Sequence, residues 1–396
     1  MSAKRILVVM HDFAGGGTER IAVRLANEWS RRGRHVRIFC GTEDGPTRDL
    51  VAEHVDVQEA NPVLPRSLFS RAMLGRYLRD EALSWQPDII FGTGNFHLPV
   101  LAAYSAAGGS PAKTVCKLSN PLQLEGSARF VAPLHSRGLR LLTRDIDALV
   151  AMSPALREEA LRVLKRPDVL MAPEPILGRL PAVQPRRPAE MPDAPLVVCA
   201  GRLERQKNFP LALETFAALP PSLGARLIIL GEGSQRQFLE KMAERLGIAD
   251  RIEMPGHVPD ISMWLQRAAA FLSTSRYEGY PAVLIEAIAA RIPVITTDCS
   301  PAIREIVEDA TQGDVVPHCP DALAVALMER LEPSAASPSS GGPDRLQRHR
   351  VEWAAGTYLR LLDDLAGETS PIFADTPEPA LANANVAILA QSARRA

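Results

Sequence analysis

Twice along this chain, short β-branched runs alternate with helical periods, and a stretch that can form neither separates the two passages. In the first passage KRILVVM (4–10), HVRIFC (35–40), PDIIFG (87–92) and DALVAM (147–152) read as buried strands. Between the first two, residues 15–33 place Ile21, Ala22, Leu25, Ala26 and Trp29 on one helical face, with Gly33 as a stop. The break is 173–195, where seven prolines in 23 residues exclude helix interior and central strand. The rhythm then restarts with strands at LVVCAG (196–201), ARLIILGEG (225–233), AFLSTS (270–275) and IPVITTD (292–298). Helices are predicted at 208–219, at 234–247 and over VLIEAIAAR (283–291). Such alternation builds doubly wound parallel sheets. The chain therefore predicts two Rossmann-like α/β domains, at 1–180 and 196–367, joined by a linker at 181–195. A Pro/Ser/Gly-rich loop (332–343) precedes a closing helix (350–367), and 368–396 is expected to be a disordered tail.

A length of 396 residues exceeds what one hydrophobic core serves, in keeping with two domains. No apolar run reaches the ~20 residues of a membrane-spanning helix. MSAKRILVVMHDF (1–13) lacks a small-residue cleavage site and reads as a strand, not an export signal. Cys40, Cys116, Cys199, Cys299 and Cys319 are scattered and without CxxC spacing. That predicts reduced thiols in a cytoplasmic protein, with neither a disulfide framework nor a zinc site. Residues 1–185 carry 24 Lys/Arg against 19 Asp/Glu, and the remainder 21 against 27, so +5 and −6 give the overall −1. The basic first half suits an anionic surface or acceptor. No nucleic-acid partner is expected.

Ligands of doubly wound sheets gather outside the carboxyl ends of the strands, which makes the residues after each strand the candidates. After the first strand, HDFAGGGTER (11–20) brings Gly15, Gly16 and Gly17 to a helix N-terminus, where free N–H groups and the dipole face an anion. Arg20 stands where the dinucleotide fingerprint has its third glycine. Glu43–Asp44 after the second strand keeps a nicotinamide-dinucleotide reading open from this half alone. GRLERQKN (201–208) sets Arg202 and Lys207 at the opening of a helix, a planar fork and a point charge suited to a diphosphate. The sharpest feature is Glu278 and Glu286 in SRYEGYPAVLIEAIAARIPVITTD (275–298). Pro281 marks the first helical turn, so Glu278 falls before the helix and Glu286 inside it. A carboxylate at so apolar a helix start needs a partner, and either sugar hydroxyls or the helix dipole supply one.

Together GGGTER, GRLERQKN, LGEG and EGYPAVLIEAIAARIPVITTD, spread over roughly residues 1–365, resemble the large family 4 of retaining glycosyltransferases. The resemblance implies the GT-B fold: two Rossmann-like domains facing across a cleft, with the closing helix of Trp353 and Tyr358 packing back toward the first. It implies that Arg202 and Lys207 bind the donor diphosphate, that Glu278 touches hydroxyls of the transferred sugar, and that Glu286 holds the nucleotide ribose. N–H groups around Gly279, Tyr280, Val283 and Leu284 help hold sugar and phosphates, and Gly15, Gly16 and Gly17 lie over the reacting centre. His97, in FGTGNFHLPVLAA, is the counterpart of the family's first-domain histidine, at an offset spacing. The expected catalytic set is thus Glu278, His97, Arg202 and Lys207. Ala290-Arg291 and Ser300-Pro301 depart from the family's usual Cys-Gly and glycine pair, which bears on donor identity. The expected reaction moves a hexose or N-acetylhexosamine from a nucleotide-diphosphate sugar, UDP-linked before GDP-mannose, to a saccharide or lipid-linked acceptor in cell-surface glycan synthesis. No cofactor or metal is expected. Asp145-x-Asp147 has the look of a metal-binding DxD but directly precedes a strand, where an acid most often ends a helix. The alternatives are a nucleotide-sugar epimerase of the same fold and a non-catalytic nucleotide-sugar-binding protein.

Two stretches concentrate the basic charge. In 66–83, Arg66, Arg71, Arg76 and Arg79 interleave with Leu68, Phe69, Met73, Leu74 and Leu78. In 129–144, Arg137, Arg140 and Arg144 accompany Phe130, Leu134, Leu139, Leu141 and Leu142. Helices of this kind either lie at an anionic leaflet, placing the protein at the inner face of the membrane, or cover the first sheet with arginine stems packed and heads in water.

Overall fold

The computed structural model describes residues 2–123, 131–178, 194–331 and 346–367. The expected loop at 332–343, the tail at 368–396 and all but the last two residues of the expected linker lie outside them. The chain divides into two compact units, 1–175 with 348–396, and 176–347. The range 196–367 read from sequence as one domain is therefore split, its closing helix belonging to the first unit.

The first unit holds seven parallel strands: β1 (Arg5–Val9), β2 (His35–Cys40), β3 (Asp56–Glu59), β4 (Ile89–Gly92), β5 (Lys113–Lys117), β6 (Ala148–Ala151) and β7 (Val169–Met171). Their order is β3-β2-β1-β4-β5-β6-β7, with Ile6 beside Val36 on one side and Ile89 on the other. Helices α1 (Gly17–Arg31), α2 (Ser70–Trp85), α3 (Leu98–Ala106), α4 (Val131–Thr143) and α5 (Pro154–Leu164) connect them. Ser153 caps α5, accepting from the Leu156 N–H at 3.3 Å, and Pro154 fills the position that needs no donor.

The closing helix (Val351–Leu365) completes this core. Trp29 of α1 packs edge-on to Phe91 and tilted to Tyr358, and its indole N–H donates to the Ala355 carbonyl at 3.1 Å. Arg34 pairs with Asp363 at 2.8 Å, and the Ala3 N–H donates to the same carboxylate. The expected return of this helix to the first domain is what the packing delivers.

The second unit holds β8 (Leu196–Ala200), β9 (Arg226–Leu230), β10 (Ile252–Gly256), β11 (Ala270–Ser273), β12 (Val294–Thr297) and β13 (Gly313–Val316), ordered β10-β9-β8-β11-β12-β13 and all parallel. Helices α6 (Phe209–Ala217), α7 (Arg236–Arg245), α8 (Ser262–Leu265), α9 (Ala282–Ala289), α10 (Ile303–Ile306) and α11 (Pro320–Leu331) flank it. In each sheet the winding reverses once, between β1 and β4 and between β8 and β11. Loops leaving those neighbours part to opposite faces and open a crevice at the strand ends.

Candidate functional site

The crevice of the second unit lies between the loops after β8 and β11, which carry Lys207 and Glu278. The first loop crosses close beneath Gly231: a Cβ there would sit 1.9 Å from the Gly201 carbonyl oxygen, and its φ of +146° admits only glycine comfortably. Gly201, at φ +153°, is bare for a related reason. The Lys207 stem lies over it, and a Cβ would come within 2.9 Å of Lys207 Cε.

Along that path Lys207 Nζ reaches Glu278 Oε1 at 2.6 Å. The same oxygen accepts from Ser275 Oγ at 2.7 Å, while Oε2 accepts from Gln206 Nε2 at 3.5 Å. The backbone is fixed as firmly. Glu278 N–H donates to the Cys299 carbonyl at 2.7 Å, Ser300 Oγ to Gly279 O at 2.6 Å, and Thr297 Oγ1 to Ser275 O at 2.7 Å. Thr274 Oγ1 donates back to the Lys207 and Asn208 carbonyls, tying the two loops together. Glu278 is almost wholly buried, and burial reinforced by its charge pushes the Cys299 thiol up to about 12. A Lys ammonium has three N–H donors and a carboxylate about four acceptor positions, so this pair holds itself in place with capacity left for a ligand.

Glu286 is half-buried inside α9, as the spacing predicts, and Pro281 is the residue that caps that helix. Gly279 and Tyr280 form the turn between Glu278 and the helix, with Val283 and Leu284 in its first turn. Arg202 stands at the start of the loop that carries Lys207. Its side chain is exposed, Lys207 has turned to Glu278, and neighbouring Glu204 is occupied by the Ser234 N–H and hydroxyl at 3.0 and 2.9 Å. Sequence reasoning missed Ser275 and Gln206, whose polar types are ordinary in loops.

The first unit's crevice, after β1 and β4, is built from different chemistry. Gly15 and Gly16 lead into α1 at Gly17; a Cβ on Gly16 would collide with the Glu19 carboxylate at 2.3 Å. Asp12 is gripped by Arg66, whose Nη2 donates to Oδ1 at 2.8 Å, and Arg66 also reaches Glu19 at 3.2 Å. Burial pushes Asp12 upward, but His11 Nδ1 at 3.6 Å, the Arg66 guanidinium and the Ala14 N–H outweigh it and hold the carboxyl well below its usual range. Arg66 and Arg71 lie over the Phe96 ring at 4.8 and 5.1 Å. His97 is buried beside Phe96, with Nδ1 3.3 Å from Thr93 Oγ1. Burial, aided by the charge of Arg66, pushes His97 down to about 3, so the ring is neutral at physiological pH. Asp12 and Phe96 went unmarked in the sequence, and Arg66 was marked only as part of a basic amphipathic stretch, although Asp12 stands just ahead of the glycine loop. Asp145 pairs with Arg144, and Asp147 accepts from Lys113 Nζ, Thr114 N–H and Thr114 Oγ1 at 2.8–2.9 Å.

The glycosyl transferase 4-like domain family matches residues 16–172, and the glycosyl transferases group 1 family matches 183–338. The lipopolysaccharide core biosynthesis glycosyltransferase LpsE of Rhizobium meliloti is 30% identical over 155 residues, which are 39% of this chain and 45% of that protein. Among solved structures, sucrose-phosphate synthase from Thermosynechococcus elongatus superposes with a TM-score of 0.76 at 19% identity, over 91% of this chain and 99% of that one. Anabaena HepE, in complex with UDP and glucose, gives 0.66 at 18% identity over 99% and 100%. The two parallel sheets, their switch-point crevices and these matches define a two-domain α/β glycosyltransferase. The chain belongs to the family 4 glycosyltransferases of the GT-B fold.

Proposed function

We propose that this glycosyltransferase is a retaining hexosyltransferase that moves a hexose or N-acetylhexosamine from a UDP-sugar to a saccharide or lipid-linked acceptor. The observation that carries the reading is the Lys207–Glu278–Ser275 group at the switch point of the second sheet. Oε2 of Glu278 has room for a sugar hydroxyl. The spare N–H directions of Lys207, with Arg202 and the α9 N-terminus, suit a diphosphate. Stabilising charge on the departing nucleoside diphosphate is the largest expected catalytic term. With no protein nucleophile invoked, retention follows from front-face attack, a leaving-phosphate oxygen taking the acceptor proton. Glu286 holds the ribose, and His97, neutral by burial, is the first unit's candidate catalytic group. HepE bound to UDP and glucose supports the UDP donor, and LpsE supports a lipopolysaccharide or polysaccharide product.

The reaction is expected to need no metal, since Asp145 and Asp147 already have protein partners. Its place is the cytoplasmic face of the membrane. Leu74 and Leu78 of α2 are buried, yet Leu68, Phe69 and Met73 are exposed beside Arg66, Arg71 and Arg76, a surface suited to anionic lipid. Among the described residues no helix is long and apolar enough to cross a membrane.

Thermal-shift measurement across nucleotide sugars tests the donor, since a ligand at 100 times its Kd adds about 2.7 kcal/mol. Incubation of the stabilising donor with lipid-linked saccharides, with and without EDTA, then separates transfer from isomerisation and from binding alone. An inverted anomeric configuration in the product, or activity that only manganese or magnesium restores, overturns the corresponding part. Equal, negligible co-sedimentation with neutral and anionic vesicles removes the membrane.

A further inference from the structure

Two side chains converge on one backbone oxygen beside Glu278. The carbonyl of Ser275 accepts from Thr297 Oγ1 at 2.7 Å and meets His318 Nε2 at 2.9 Å. A carbonyl oxygen only accepts, so Nε2 of His318 carries a proton and donates it. Both lone pairs of that oxygen are then used, and Ser275, itself 2% exposed, is held from two sides. What this restraint aims is the Ser275 hydroxyl, which donates to Glu278 Oε1 at 2.7 Å.

His318 stands in the turn between β13 and α11. Since β13 neighbours β12 and not β11, its ring reaches across the end of β12 to the loop after β11. The turn is stiff. Pro317 precedes the histidine, Pro320 opens the helix, and the Cys319 N–H donates to the Pro317 carbonyl at 2.8 Å, closing a three-residue turn centred on His318. The residue is exposed, so its loss empties no core cavity and folding alone does not ask for a histidine here. We infer that His318 is a positioning residue: by holding the Ser275 carbonyl it aims the Ser275 hydroxyl, and so sets the Glu278 carboxylate toward the transferred sugar. This rests on the role proposed above for Glu278. A carboxylate directed at sugar hydroxyls must be aimed as well as charged, since small misplacements cost rate out of proportion to any one contact.

The test uses the full chain with UDP-glucose and UDP-N-acetylglucosamine, reading UDP release at steady state, UDP affinity by calorimetry and the melting midpoint. His318→Leu is expected to lower kcat about tenfold, the scale of one hydrogen bond. UDP affinity and midpoint should stay as in the wild type, because UDP carries no sugar for Glu278 to meet. His318→Gln, whose amide can donate to the same carbonyl, is expected to recover most of the rate. Ser275→Ala should also lower kcat, and adding His318→Leu to it should cost nothing more, since the histidine acts through that hydroxyl. Without any donor, ¹⁵N-histidine NMR at alkaline pH should show the ring signal that His318→Gln removes as the Nε2–H tautomer. Wild-type kcat in His318→Leu, no recovery in His318→Gln, additive losses in the double variant or an Nδ1–H tautomer overturns the inference. Glu278→Gln separates it from the reading beneath. Wild-type kcat there removes the sugar role of Glu278 and the inference with it, whereas a collapse there beside an unaffected His318→Leu removes the inference alone.

Discussion

The two switch-point crevices share a topology and differ in how their charges are kept. In the second unit Lys207 and Glu278 neutralise each other behind a screen of loops, their side chains 18% and 10% exposed. In the first, the arginine of the pair is open, with Arg66 45% and Asp12 13% exposed, and the buried group beside it is an uncharged histidine. The same strand order therefore presents a screened charge pair in one unit and a neutral base under a solvated pair in the other. Position comes from the winding; the work a position can do comes from which group is desolvated.

Breaking the screened pair tests the comparison hardest. Lys207→Met leaves Glu278 uncompensated and, in the proposed role, removes a donor for the departing phosphate, so kcat is expected to fall about 10²–10³-fold. Steady-state release of UDP reads it, and near-wild-type kcat would assign the pair to folding alone. His97 comes next, through pH. Its folded-state pKa, about 3, lies below its ordinary 6.5, so below pH 6.5 the unfolded chain binds a proton that the folded one refuses. Stability should then fall with pH across that window by up to about 1.4 kcal/mol per unit. Asp12, also depressed, gives up its contribution only below its ordinary 3.8. His97→Gln should therefore flatten urea-derived stability between pH 6.5 and 4 and leave the lower limb alone; an unchanged slope there contradicts a buried neutral ring.

Glu286→Ala sharpens the donor side. Losing a charged hydrogen bond to the ribose should weaken UDP-sugar binding by about 1.5–3 kcal/mol, measured by calorimetry. Unchanged affinity removes the ribose assignment while leaving Glu278 in place. The smallest effect is expected at Arg66→Ala, where an outward pair is worth about 0–1 kcal/mol. A loss as large as that of Lys207→Met would show that the two crevices are less different than their exposure implies.

The strands that the sequence declares are those with long apolar runs. RILVV, LVVCA and RLIIL are central and buried on both faces, and their composition says so. DVQE of β3 and IEMPG of β10 are edge strands with one open side, and their polar residues carry no period to read. KTVCK of β5 was hidden differently: its last lysine is buried, and only Glu174, 57 residues away, makes that tolerable. At the site, the Glu278 and Glu286 spacing located both carboxylates, one before and one inside the helix. It could not show that Lys207 belongs to Glu278, because that contact depends on β8 and β11 being neighbours. Arg202 looked equivalent to Lys207 for the same reason.

The closing helix makes the first unit discontinuous in the chain, which matters while the protein is being made. Until Val351–Leu365 leaves the ribosome, Trp29 and Phe91 lack the Tyr358 that packs on them. The second unit, contiguous over 176–347, is fully synthesised before the first can be completed. A nascent chain thus carries an unfinished apolar face through nearly half of its translation, and a fragment cut at Pro175 would carry it permanently. An autonomous first unit is better sought by splicing the closing helix back onto that fragment than by truncation.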